Sequence, residues 1–140
     1  MKGKFPVVGI AIIFCMLMIS GCQESGTNTT TVFDKILFES DILEIANASF
    51  TLTKGQGGIV KKAEVVVYFR NRLTQPIYNL TLAIDFCDEN ENVLYSHPYE
   101  YMSAFPPGYT EASPNRFSYT RSNVYLVDHI NIRITNYNLE

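Results

Sequence analysis

Residues 65–87 read VVVYFRNRLTQPIYNLTLAIDFC, and this stretch decides the fold. Apolar side chains stand at every second position in both of its halves: Val65, Val67 and Phe69, then Leu80, Leu82, Ile84 and Phe86. Such alternation is typical of strands that bury one face, and the many β-branched and aromatic residues favour the same structure. The polar residues 71–76 between the halves, which end in Pro76, predict a turn.

The two-residue period continues outward from this stretch. Polar or glycine-rich turns separate the other strand signals: residues 55–58, 88–92 and 106–108. A last alternating segment follows them: Ile130, Ile132 and Ile134. Short strands with turns between them favour two packed sheets over βαβ units. We therefore expect an all-β, immunoglobulin-like antiparallel sandwich of six or seven strands, with either a strand or a short helix near its start, in residues 32–46.

The N-terminal segment has the order of parts found in a lipoprotein signal peptide. Lys2 and Lys4 come first, an uncharged apolar run fills residues 7–19, and two small residues precede Cys22. The run is shorter than the roughly 20 residues of a membrane-spanning helix and fits a signal peptide. The segment resembles a lipobox, which implies cleavage after residues 1–21 and a lipid, with palmitate among its acyl chains, joined to the Cys22 thiol through a thioether. An uncleaved membrane anchor is the alternative.

Three segments follow from this interpretation. Residues 1–21 form the signal peptide, residues 22–31 the lipidated cysteine and a small, polar, flexible tether, and residues 32–140 one sandwich domain. The whole chain has a formal net charge of −3. Loss of the two signal-peptide lysines makes the mature chain more acidic, which excludes a nucleic-acid partner, since phosphate binding needs a basic face.

Cysteine and histidine are sparse. With Cys15 removed in the signal peptide and Cys22 acylated, Cys87 has no partner for an intramolecular disulfide, so the core must hold the fold. His97 and His129 lack the close pairing of a zinc site, and we expect no metal and no cofactor. A Cys87–histidine pair is the one nucleophilic combination left, and without a catalytic motif we expect no enzyme.

Residues 88–92 open like a calcium-binding loop. Asp88, Asn90 and Asn92 stand at its first, third and fifth positions. Val93 and Tyr99 stand where such a loop needs glycine and glutamate. We therefore expect an ordinary hairpin turn in which these side chains bond to the local backbone.

Residues 63–135 are similar to FxLYD-type and related immunoglobulin-like domains of prokaryotic envelope lipoproteins. The similarity lies in the order of five segments: VVVYFRNRLTQPIYN, LTLAIDFCDENENVL, FPPGYTE, RFSYT and INIRIT. It covers about half of the chain and rests on patterns of strand and turn. The resemblance implies a non-catalytic extracytoplasmic module and brings no catalytic residues.

Residues 95–109 hold the strongest local bias, an accumulation of aromatic rings and prolines. Aromatic rings on a loop suit sugars or proline-rich peptides, so the segment is the candidate contact surface: Tyr95, Tyr99, Tyr101, Phe105 and Tyr109. The other interpretation, which we favour, is that the rings cover an open edge of the core and the prolines protect that edge from other chains.

Three glycosylation sequons begin at Asn28, Asn47 and Asn79. They matter only if the organism glycosylates exported proteins. Asn28 lies in the expected tether and is the most accessible of them.

The sequence therefore predicts a lipid-anchored protein on the extracytoplasmic face of a cell membrane. We expect a non-catalytic module that binds or supports another envelope component, either a protein or a glycan. The alternative is a lipoprotein that captures a small molecule, a sugar or a metal ion, and an envelope enzyme ranks last. A concave pocket with polar groups favours capture, whereas an exposed aromatic patch favours contact with another macromolecule.

Overall fold

The computed structural model describes residues 29–31 and 34–139. Eight strands form in this part of the chain: β1 (Thr29–Thr31), β2 (Ile36–Phe38), β3 (Leu43–Lys54), β4 (Val60–Asn71), β5 (Ile77–Cys87), β6 (Val93–Glu100), β7 (Asn115–Tyr119) and β8 (His129–Leu139). Two short 3-10 turns accompany them, Gln56–Gly58 and Val124–Leu126. The six longer strands contain the alternating segments that the sequence marks as strands.

The strands form two four-stranded sheets with the orders β1-β3-β4-β7 and β2-β8-β5-β6. The predicted all-β sandwich is confirmed. Strands β3–β4 and β5–β6 are hairpins, while the connections after β4, β6 and β7 each cross to the other sheet. As a result β4 pairs with β7 and β5 pairs with β8, which is how the B–E and C–F pairs of an immunoglobulin-like sandwich arise.

Two short strands differ from the sequence-based expectation. β2 runs parallel to β8, although only antiparallel pairs were expected. After β1 in the first sheet, the chain crosses to the second sheet and forms β2 there. β2 pairs with the edge of β8 and runs in the same direction as β8. The region in which a short helix was an alternative therefore contributes a strand. β1 takes up the last three residues of the expected tether, Thr29–Thr31, which pair with Thr51–Thr53 of β3.

The core lies between the inner faces of the two sheets. Nine of the largest fully buried side chains follow the alternation of the strands that contain them: Phe50, Val65, Val67, Phe69, Leu80, Leu82, Ile84, Phe86 and Ile130. The described part of the chain contains no disulfide, and its free cysteine, Cys87, is buried. Burial of apolar surface is therefore the main stabilising term.

The β3–β4 hairpin defines two ends of the sandwich. At one end Lys54 lies opposite Val60, and at the other Leu43 lies opposite Asn71. β1 pairs with β3 beside Lys54, so we call that end the tether end and the opposite end the far end. The predicted signal peptide, Cys22 and Asn28 lie outside the described residues.

Candidate functional site

The candidate contact residues of β6 lie where the outer edges of β6 and β7 face each other, which we call the sealed side. Tyr95 stacks on Tyr119 of β7, with ring centroids 5.1 Å apart and an interplanar angle of 7°. Tyr99 meets Phe117 edge to face at 5.6 Å. Tyr95 and Tyr99 are therefore half-buried against the core. They have the covering role that the sequence analysis favoured.

Phe105 does not belong to a contact surface, and its assignment there was wrong. Its side chain is 0% exposed. The backbone N–H of Phe105 donates to the carbonyl of Ile77 (2.7 Å), and the N–H of Ile77 donates back (3.0 Å). This bridge draws the ring inward, where it contacts Tyr101 at a centroid distance of 4.8 Å. A lone phenylalanine before two prolines gives no sequence signal of such pairing.

Residues 101–111, which we call the far loop, connect the two sheets at the far end. Two large apolar side chains of this loop are exposed: Tyr109 at 39% and Met102 at 88%. The N–H of Tyr109 donates to the carbonyl of Pro106 (3.2 Å), and Gly108 has a φ of 65°. Proline followed by a glycine of positive φ is typical of a type II turn. The turn presents Tyr109 to solvent. Met102 is the more exposed of the two, and no sequence pattern marks it.

Asn71 fixes one end of the far loop from the core. Its side chain is completely buried. The side-chain amide donates to the carbonyls of Gln75 (3.0 Å) and Phe105 (2.9 Å), and its oxygen accepts from the N–H of Leu73 (2.8 Å). The backbone N–H of Asn71 donates to Tyr109. A buried amide with all these partners holds the loop in one conformation.

Glu111 fixes the other end. Its Oε2 accepts from the backbone N–H of Phe69 and from the side-chain amide of Asn115, both at 2.7 Å. The hydroxyl of Tyr99 donates to Oε1 at 3.4 Å. Burial, followed by the Glu111 charge and hydrogen bond, raises the pKa of Tyr99 well above its usual value. The Glu111 carboxylate also supplies the hydrogen-bond acceptor that the buried backbone N–H of Phe69 in β4 would otherwise lack.

The opposite side, where β2 and β3 face each other, contains a cleft of about 370 Å³. We call it the open side. Its lining is mostly apolar, with polar residues at the rim: Ile36, Phe38, Leu43, Ile45 and Ala48, then Ser40, Glu44 and Arg72. The volume falls in the range of small-molecule sites. The cleft exists because β2 has only three residues and covers little of the gap between the sheets.

A buried polar group lies on the outer face of β5. Asp85 is 1% exposed, and its Oδ2 accepts from the Nε of Arg133 at 2.7 Å. Cys87 is also buried and lies opposite His129 in the β5–β8 ladder. Burial raises the pKa of the Cys87 thiol, and the nearby Asp85 and Glu91 carboxylates raise it further. A protonated thiol is a poorer nucleophile than a thiolate.

The β5–β6 turn has the conformation expected of an ordinary turn. Oδ1 of Asp88 accepts from the N–H groups of Asn90 and Asn92, both at 2.9 Å. The side-chain amide of Asn92 also donates to the Asp88 carboxylate. This side-chain bond first, and then the backbone bonds, hold the pKa of Asp88 below its usual value. Among residues 29–31 and 34–139 no group of three or more histidine, cysteine, aspartate or glutamate side chains is arranged to hold a metal ion.

Two sequon asparagines fall within the described residues, and both are exposed. Asn47 lies beside a register shift in β3. Asn79 has a φ of 50° and lies in an irregular part of β5. Both side chains are therefore open to solvent. In the part of the chain that the structure describes, no helix has the length and apolar character needed to span a membrane.

Comparison with known proteins finds no matching family model, no matching curated protein and no matching solved structure. The resemblance to FxLYD-type domains therefore stays a prediction. What the chain does has to be argued from its own geometry.

Proposed function

We propose that this protein is a non-catalytic extracytoplasmic binding module, anchored in a membrane through lipid on Cys22, that contacts another envelope component through its far loop. The observation that carries the proposal is the position of the tether relative to this loop. Thr29 pairs with Thr53 at one end of β3, while Thr110 of the far loop bridges Arg70 near the other end of the β3–β4 hairpin.

The length of the hairpin sets the distance between anchor and loop. β3 has 12 residues, which corresponds to roughly 40 Å at about 3.3 Å per residue. Cys22 precedes Thr29 by a stretch that spans at most about 25 Å when extended. A domain anchored there would hold the far loop away from the lipid surface.

The far loop also has a fixed conformation, which favours its use as a recognition surface. Asn71 and Glu111 fix its two ends, and a hydrogen-bonded turn orders its tip. A loop that is already ordered loses less conformational entropy on binding. Exposed Met102 and Tyr109 offer the apolar and aromatic area that partners contact most favourably.

The anchor is tested on the full chain expressed in a prokaryotic host. We expect the wild-type protein to partition into detergent with the mass of a processed, acylated chain, and we expect Cys22→Ser to remain unprocessed. A wild-type mass that still includes residues 1–21 contradicts the anchor.

The contact surface is tested by site-specific photocrosslinking in intact cells. A crosslinking residue at Met102 or Tyr109 is expected to trap one defined envelope partner. The same residue at exposed Tyr125, at the tether end, serves as the matched control. Equal trapping from both ends, or none from the far loop, contradicts the proposal.

A second candidate function is capture of a small ligand, which the open-side cleft favours. An apolar floor with Glu44 and Arg72 at its rim fits a small apolar molecule with a polar group. The test is a thermal-shift screen of such molecules. A ligand that binds there raises the melting temperature, and Ala48→Phe, which fills the cleft, removes the shift. A shift that survives Ala48→Phe places the ligand elsewhere.

A further inference from the structure

The β3–β4 turn lies beside the point where the tether reaches the sheet. Thr29 pairs with Thr53, and Lys54 follows on the same strand, opposite Val60. Neighbouring strands lie about 4.8 Å apart. The turn is therefore within roughly 10 Å of the residue at which the tether ends.

The turn presents an apolar tip between two cations. Ile59 is 53% exposed and immediately precedes β4, whose first fully buried residue is Ala63. Lys54 precedes the turn and Lys61 follows it. The stem of Lys61 packs over the turn, since a Cβ at Gly55 would stand 2.9 Å from its Cγ. An apolar tip with flanking lysines is what the interface of an anionic bilayer accepts.

The two lysines are not used within the described domain. The ion pairs among the described residues involve other cations, such as the pairs Lys35–Asp128 and Arg133–Asp85. Lys54 and Lys61 belong to none of them. Their charges are therefore available to phosphate groups outside the domain.

We infer that the β3–β4 turn, residues 55–59, together with the flanking Lys54 and Lys61, seats the domain on the surface of an anionic phospholipid membrane. The inference rests on the proposed lipid anchor, which would hold this turn near the headgroups. A cationic, apolar contact beside the anchor adds to the attachment that the acyl chains on Cys22 provide. The seat would also fix the direction in which the far loop points.

An acidic turn at the same end sets the tilt of the domain. Asp88, Glu89 and Glu91 connect β5 to β6 in the other sheet. Facing sheets lie about 10 Å apart, which is close to the Debye length at physiological salt. Repulsion of this turn from anionic lipid is therefore partly screened, and it favours a tilt that brings the β3–β4 turn closest to the headgroups. The 3-10 turn with exposed Tyr125 and Leu126 lies at the same end.

The chain contains no tryptophan, so one introduced tryptophan is an unambiguous depth probe. Ile59→Trp and Met102→Trp, each in the full lipidated protein, are reconstituted into phosphatidylcholine vesicles with and without phosphatidylglycerol, containing acyl-brominated lipid as the quencher. We expect Trp fluorescence from position 59 to be quenched on the anionic vesicles and that from position 102 to stay unquenched.

The charge dependence is tested by Lys54→Gln/Lys61→Gln in the Ile59→Trp protein. Removing a lysine near an anionic surface changes the ratio of seated to unseated domain about fivefold, and removing both changes it roughly 25-fold. Quenching of the Trp fluorescence is expected to fall accordingly in the double-lysine variant. High salt should also lower the quenching of the Ile59→Trp protein that keeps both lysines. Circular dichroism checks that the variants, changed only at half-buried or exposed positions, remain folded.

The outcomes separate the seat from the anchor. If the wild-type protein does not sediment with vesicles, the proposed anchor and the seat both fail. If it sediments but Trp at position 59 is quenched no more than Trp at position 102, the anchor stands and the seat is overturned. Quenching that is equal on neutral and anionic vesicles contradicts the role of the lysines.

Discussion

The two sides of this sandwich differ in how the gap between the edges of the two sheets is filled. On both sides the edges of two sheets face each other across a gap. On the sealed side, rings from β6 and β7 fill the gap, with Tyr95 stacked on Tyr119. On the open side the edge strands of the two sheets, β1 and β2, have three residues each, and a cleft of about 370 Å³ remains.

The comparison shows how aromatic side chains change the use of a sheet edge. A row of large rings fills the gap, so the aromatic segment that suggested a binding surface mostly serves stability. The open side has a partly apolar surface and no such closure. Recognition would therefore depend on the exposed tip of the far loop, while ligand capture would depend on the open side.

The largest expected effect is at Phe105, where the far loop extends the aromatic closure of the sealed side to the far end. Phe105→Ala removes a fully buried phenylalanine that contacts Tyr101 and Tyr109. We expect the free energy of unfolding to fall by about 3–5 kcal/mol, since the cavity adds to the lost transfer free energy. Urea denaturation measures the loss. A loss below about 1 kcal/mol contradicts the buried position of this ring.

Glu111 tests the polar closure of the same side. Glu111→Ala leaves the buried N–H of Phe69 without an acceptor, and we expect a loss of about 2 kcal/mol in the free energy of unfolding. The matched control is Glu100→Ala, an exposed glutamate at the end of β6, for which we expect at most about 0.5 kcal/mol. Equal losses for the two variants rule out a special role for Glu111.

Phe38 provides the direct comparison from the open side. It lies half-buried in the wall of the cleft, 5.9 Å from the ring of Phe69. Phe38→Ala is expected to reduce the free energy of unfolding by about 1–2 kcal/mol, because less apolar area leaves contact than at Phe105. The same denaturation assay measures it. A loss as large as that of Phe105→Ala removes the distinction between the two sides.

The titration of Tyr99 tests the sealed side by pH. Its pKa is raised in the folded protein, chiefly by burial and then by Glu111. The resulting stability is fully present below the unfolded value of about 10 and is lost as the pH rises above it, because the unfolded chain ionises first. Phenolate absorbance should therefore show this tyrosine ionising last or only on unfolding. In Tyr99→Phe the late component should be absent, and its persistence assigns it to another tyrosine.

The smallest effect is expected from the ion pair near the rim of the cleft. Arg70 donates to Glu44 at 3.1 Å, with both side chains largely exposed. Glu44→Gln is expected to change the free energy of unfolding by at most about 0.5 kcal/mol, since exposed pairs are screened by water and salt. A thermal melt in low and high salt measures it. A larger, salt-dependent loss contradicts this description of the rim.

Most of the fold follows from local pattern. The alternation in residues 65–87 marks which face of β4 and β5 is buried, and the polar turn between them marks the crossing. The positions of β1 and β2 do not follow, because each has three residues and depends on the edge of a distant strand. Edge pairing of that kind has no sequence period of its own.

The candidate site was predictable only in outline. The accumulation of aromatic residues marked residues 95–109 as a special segment. The burial of rings such as Tyr95 depends on contacts with β7, which lies elsewhere in the sequence. Nothing in the sequence distinguishes Glu111 from other loop glutamates, since its role comes from an N–H of β4. Met102 becomes conspicuous only because the loop exposes it.

The sequence by itself determined that this is a two-sheet β protein, because a two-residue period fixes which side chains share a face. It also carried the prediction of a lipidation site at Cys22, because that prediction depends only on the order of adjacent residues. The tertiary structure decided that Phe105 belongs to the core, that one side is sealed and the other open, and that Thr29 and the far loop lie at opposite ends. Those properties depend on contacts between residues distant in the chain, and such contacts exist only once the two sheets have packed.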